Sequence, residues 1–116
     1  VDAIPLPDHG FATLDDLPSS SDLSGPTDII SRAALLLITA AAEKLGMAPD
    51  AEPVIELADA RPLITALAGL LAAAADVLDD HRDPLFEALA TLQRAFREAS
   101  AFPDAPGAGP GESLIG

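Results

Sequence analysis

Three stretches of the chain repeat apolar residues at the three-and-four spacing that gathers side chains on one face of a helix. The first runs from Pro26–Asp28 to Gly46. Ile30, Ala34, Leu37, Ala41 and Leu45 line one face, Ile29, Ala33, Leu36 and Ala40 widen it, and Arg32, Glu43 and Lys44 mark the wetter side. So wide an apolar arc predicts contact with more than one neighbour. Pro26 suits a first turn, Thr27 or Asp28 can cap it, and Gly46 can close it in a left-handed cap. The second stretch starts near Asp59, which places Pro62 in the first turn, where its missing N–H is not needed. Its buried stripe is Leu63, Leu67, Leu70 or Leu71, Ala74 and Leu78. The third, about 84–99, opens on Asp83–Pro84, an acid cap followed by a first-position proline. Leu85, Leu89, Leu92, Phe96 and Ala99 form its stripe, and Arg94 and Glu98 stand at ion-pair spacing.

The breaks are as clear as the stripes. MAPDAEPVIELA, with prolines at 49 and 53, and DVLDDHRDP separate the three stretches. VIEL at 54–57 is the nearest approach to a strand, and Pro53 limits it to a short piece. There is no internal repeat. The expected fold class is therefore all-α: a small antiparallel three-helix bundle over 27–99 with extended N- and C-terminal arms. Its core is expected to hold Leu37, Leu67, Leu89, Leu92 and Phe96. The leader, 1–26, is rich in Pro, Gly, Ser and Asp: an extended arm with room for a short turn near Thr13–Leu17 pinned by Phe11, Leu14 and Leu17, or a disordered leader.

The closing segment, 100–116, contains Pro103, Pro106 and Pro110, which stop the third helix. Its glycines make an ordered state costly, and only Phe102, Leu114 and Ile115 offer apolar surface in return. It is expected to be an arm that docks through Phe102 and the Leu114–Ile115 end, on its own domain or on a neighbouring subunit. Gly69, flanked by Ala66, Ala68, Ala72 and Ala73, predicts a close backbone approach to another helix. Ala33 and Ala40 add to that expectation, and Phe11, Ala68, Gly69, Ala72, Phe102, Leu114 and Ile115 are the candidate interaction residues.

Composition narrows the functional classes. The 116 residues carry 19 acids against 6 bases, a net charge of −13, which repels nucleic acid and anionic lipid. Four Phe, without Tyr or Trp, give few stacking platforms for bases. There is no cysteine, so disulfides, thiolate metal sites and a thiol nucleophile are excluded. The uncharged apolar runs at 33–42 and 62–75 are each shorter than a bilayer span. The opening VDAIPLPDHG has neither a basic segment nor an apolar signal core, and a cytoplasmic setting without membrane insertion is the expectation.

Candidate chemistry is sparse. His81 stands among Asp79, Asp80 and Asp83, a set that could hold a divalent ion. The spacing does not match a calcium loop, and a solvated turn is the simpler expectation. Asp15–Asp16 lie in a Ser/Pro-rich segment with no pocket to split their pKa values. Only Ser31 and Ser100 lie on helices, neither in a nucleophile-elbow context. GAGPGES resembles a phosphate loop in its glycines alone: Glu112 stands where a lysine is needed, with no strand before it. Phe96, between Arg94 and Arg97, falls on the core stripe rather than on a nucleic-acid surface.

AAAEKLG at 40–46, ELADARPLITALAGLLAAAA at 56–75 and LATLQRAFREASAFPDAPGAGPGE at 89–112 resemble the DUF1844 proteins of actinobacteria. The likeness spans roughly 28–116, departing at Pro62 and Ser113, where charged residues are common. It implies a small soluble helical protein and brings no catalytic or ligand-binding residue. The functional expectation is a non-catalytic protein–protein interaction or accessory subunit, a homo-oligomer or part of a larger complex, without cofactor. The alternative is a small-molecule or metal-binding protein with weak activity.

Overall fold

Pro26 begins α1 (Pro26–Lys44), and the chain leaves that helix through Leu45, Gly46 and Met47. The Met47 N–H reaches the Ala42 carbonyl at 2.8 Å and the Gly46 N–H reaches Glu43 at 3.1 Å. This is a Schellman closure, with Gly46 at φ +73°, as its lack of a Cβ allows. The computed structural model describes residues 25–47 and 54–115. Phe11, the Thr13–Leu17 turn, His9 and Asp15–Asp16 lie outside the described residues.

The other long helices are α2 (Leu57–Ala74) and α3 (Arg82–Ala99), and a short α4 (Glu112–Ile115) ends the described chain. Helical residues make up 76% of those described, and none of these is in a strand. Val54–Glu56 are irregular, and Leu57 is already helical. The fold is all-α, as the apolar spacing predicts. Its antiparallel order is visible in the cross-links. At one end of the α1–α2 pair the Thr27 hydroxyl donates to the Val77 carbonyl; at the other the Glu56 N–H donates to the Lys44 carbonyl at 2.7 Å. Arg61, in the second turn of α2, lies 4.9 Å from the centre of the Phe96 ring near the end of α3, so that pair is antiparallel too.

Three local expectations need correction. Neither Thr27 nor Asp28 caps α1: Gly25 occupies the cap position with no side-chain bond, and the Thr27 hydroxyl is spent on Val77 instead. The second helix begins at Leu57, two residues before Asp59, so Pro62 lies inside it. Its ring deprives the Ala58 carbonyl of a helical partner, at an exposed residue that is open to solvent. Before α3, two 3₁₀ turns (Ala75–Val77 and Asp79–His81) lead straight into Arg82, so Asp83, expected as the cap, lies inside the first helical turn and Pro84 is at its third position rather than its first. The reversal is carried by Asp79 at φ +52°, a left-handed conformation that Asp tolerates better than most residues.

The core centres on α2. Ala60, Ile64, Leu67, Ala68, Leu71, Ala74 and Leu78 are buried there, together with Ala34, Ala41 and Leu45 from α1 and Leu85, Leu89, Leu92 and Phe96 from α3. Leu37, expected in the core, is only partly buried at its edge. With its 3₁₀ extension, Leu57–Val77 is long and apolar enough to cross a membrane, at a mean hydropathy of 1.4. The sequence expectation counted only the uncharged run and so fell short of that length. In this fold one face of the helix, Ile64, Leu67, Ala68 and Leu71, is fully buried, while Ala66, Ala72 and Ala73 stay exposed.

Burial predicts where truncation hurts. Ile64→Ala removes a fully buried side chain and is expected to cost about 2–5 kcal/mol in urea unfolding. Val54→Ala, on a solvent-facing side chain away from α1, is expected to cost no more than about 0.5 kcal/mol. Equal losses at the two positions would contradict this core.

Candidate functional site

Helix α1 buries one side and leaves an apolar line on the other. Ser31, Ala34, Ala41 and Leu45 face the core. About half a turn round the axis stand Ile29, Ala33, Leu36, Ala40 and Glu43, successively four, three, four and three residues apart, which keeps them on one stripe. Leu36 is 71% exposed, Ile29 is 48% exposed, and Met47, just past the cap, is 44% exposed. Water-facing leucine at this level is not required by the fold. Single exposed apolar residues are ordinary, but a line of them on one helix marks a surface that gains by being covered.

The closing segment is folded onto α2 and α3. Gly109, Pro110 and Gly111 are buried, and the contact is so close that a Cβ on Gly111 would stand 2.5 Å from the Ala68 Cβ. Gly111 also holds φ +74°. Three side chains fix the segment. Gln93 Nε2 donates to the Pro110 carbonyl at 3.0 Å, Arg61 pairs with Asp104 at 2.9 Å, and Arg97 donates to the Asp104 carbonyl. Arg97 also pairs with Glu112 at 2.7 Å.

Glu112 explains the glycine-rich sequence. Its Oε1 accepts the Gly107 N–H at 2.9 Å and the Gly109 N–H at 3.1 Å, while Oε2 takes the Arg97 guanidinium. The loop therefore does cradle an anion, and that anion is the chain's own carboxylate. The Arg97 hydrogen bond is the main cause holding the Glu112 carboxyl below its usual value of 4.5; partial burial opposes it and the Gly109 N–H assists.

The acidic turn sits beside the start of α1. Two clefts of about 340 and 370 Å³ share Asp28 and His81. Asp79 and Asp80 line the first; Ser31, Arg32 and Leu35 line the second. His81 Nε2 is 3.9 Å from the Asp28 carboxylate, too long for a hydrogen bond. The Ser31 hydroxyl is buried without a hydrogen-bond partner, so Ser31, His81 and Asp28 form no proton relay despite sharing a cleft. Among the described residues, no group of three or more His, Asp or Glu side chains comes together to hold a metal ion. Asp79, Asp80, His81 and Asp83 are all exposed and spread around the turn.

The candidate interaction residues are distributed differently from the expectation. Ala68 is fully buried, and its close neighbour is the backbone of Gly111, not another helix. Gly69 has room: an added Cβ would meet only Leu114 Cδ1, at an ordinary 3.8 Å. Ala72 is exposed. Phe102 does not pin the arm; it is 93% exposed beside a shallow groove formed with Leu57, Ala58 and Phe96. Leu114 and Ile115 are 48% and 37% exposed. The docking is instead made by glycine backbone and by Arg61, Gln93 and Arg97. Sequence reasoning missed these because it sought apolar anchors. The readable signal was the pairing of Arg97 with Glu112 across a segment that turns back on itself.

No family model, curated protein or solved structure matches this chain. The likeness to the DUF1844 proteins rests on the three sequence blocks alone.

The two glycines should respond oppositely to alanine. Gly111→Ala is expected to destabilise the fold by about 2 kcal/mol or more, from the left-handed φ and the overlap with Ala68. Gly69→Ala is expected to stabilise it by about 0.5–1 kcal/mol through helix propensity. Thermal unfolding of both variants checks this, and matching signs would refute it.

Acid should release the closing segment. Because the folded-state pKa of Glu112 is lowered, its contribution is complete above the ordinary carboxyl value and is lost as pH falls through the lowered one. The Gly107 and Gly109 amide resonances are expected to move together over that window, and Glu112→Gln to abolish the step. Amides that titrate unchanged in Glu112→Gln would show that another group controls them.

Proposed function

We propose that this protein is a non-catalytic interaction or accessory subunit, acting in the cytoplasm by self-association or within a larger complex, and that the solvent face of α1 is its contact surface. One observation carries this: Ile29, Ala33, Leu36 and Ala40 form a continuous apolar line that none of the other described elements uses. Covering such a line removes apolar area from water at about 25 cal/mol per Å². The net charge of −13 favours a protein partner over nucleic acid or an anionic membrane surface.

A second reading, small-molecule binding, has one specific support. Ser31 is 7% exposed and its unpaired hydroxyl belongs to a residue lining the cleft with Asp28, Arg32 and His81. A buried hydroxyl without a partner is costly, and a polar ligand or a water would satisfy it.

Native mass spectrometry of freshly purified chain separates the two. The interaction reading expects a mass above one chain, lost in Leu36→Glu while circular dichroism stays helical. A single-chain mass in both proteins contradicts it. A small bound species that disappears in Ser31→Ala or His81→Ala supports the second reading.

A further inference from the structure

We propose that the α1 face is covered by a second copy of this chain, laid antiparallel so that Arg32 of each copy meets the partner's Glu43. This rests on reading that face as an interface and adds the occupant and its register. The four-three alternation of Ile29, Ala33, Leu36, Ala40 and Glu43 is the spacing of a seam between two helices. The seam has one flaw: Glu43, a carboxylate in line with apolar residues. It also has one exposed base at its edge, Arg32. Within one copy these two are eleven residues apart, about 16 Å along the axis, and cannot pair.

An antiparallel two-fold arrangement removes the flaw. With Leu36 opposite the partner's Ala40, Ala33 falls opposite the partner's Glu43. Arg32, next to Ala33, is then within reach of that carboxylate, and symmetry makes the contact twice. A parallel pairing would set Glu43 against the partner's Glu43, two like charges in one apolar layer. The small side chains Ala33 and Ala40, opposite Glu43 and Leu36, leave room for the longer residue in each layer. The face is thus complementary to itself in charge and in size, the property that selects a second copy over an unrelated partner.

Two experiments on the full chain test the register. The protein has no cysteine, so Ala33→Cys and Glu43→Cys each introduce the sole thiol. Oxidising the two variants mixed is expected to give a cross-linked dimer. Each alone is expected to give none, because like positions would lie about 15 Å apart along the axis. In sedimentation equilibrium, Arg32→Glu or Glu43→Arg alone is expected to weaken the dimer by about tenfold or more. The double reversal is expected to restore it to within about threefold. Circular dichroism verifies that each variant is folded.

Cross-linking of either variant with itself, or a double reversal weaker than both singles, overturns the arrangement. The mass of the native chain distinguishes the two levels of the argument. A heteromeric mass lost in Leu36→Glu, with no mixed cross-link, rejects the second copy and keeps the interface. A single-chain mass unaffected by Leu36→Glu rejects both.

Discussion

Helix α2 has apolar side chains around most of its circumference, and the other described elements pack on one face of it. Ala60, Ile64, Leu67, Ala68 and Leu71 are all fully buried within one 18-residue helix. Amphipathic helices on two sides, α1 and α3, cannot by themselves enclose such a surface. The remaining strip, at Ile64, Thr65 and Ala68, is covered by Gly111 of the closing segment, whose missing side chain lets backbone lie directly on the helix. The small residues of α2 and the glycines of the tail are two halves of one packing solution.

That cover would be weak on apolar contact alone, since Phe102 is exposed and Leu114 and Ile115 are only partly sheltered. Polar contacts supply what hydrophobic burial does not. Arg61 stacks over Phe96 and pairs with Asp104, while Arg97 bridges the Asp104 carbonyl and the Glu112 carboxylate. Glu112 in turn gathers the Gly107 and Gly109 amides, and so satisfies at the buried Gly109 a donor that would otherwise be left unpaired. A segment with little intrinsic reason to fold is thus ordered by charge-assisted hydrogen bonds to a rigid helix. Two of the chain's six basic residues are committed to that work.

The helices, their order and most of the core could be read from spacing, because stripes such as Leu85, Leu89, Leu92 and Phe96 have only one way to face inward. The boundaries at Leu57 and Arg82 could not, since proline tolerates the first turns and leaves the true start open. The alanines around Gly69 pointed to a close backbone approach there, yet it is Gly111 that meets another backbone; the difference is tertiary and has no local signal. The apolar line on α1 was legible as an arc too wide for one neighbour. Which part of that arc would stay exposed depended on where α2 and α3 came to rest.

What distinguishes this protein from a self-contained bundle is that α1 remains apolar on the side that the other described elements do not use. The most direct test is paramagnetic relaxation of methyl resonances by a soluble gadolinium chelate, recorded from dilute to concentrated protein. The account predicts that the Leu36 and Ile29 methyls lose their sensitivity to the chelate as concentration rises, while Leu114, as accessible as Ile29 at the start but on α4, keeps it. Leu36 methyls that relax as strongly in concentrated as in dilute solution would contradict it.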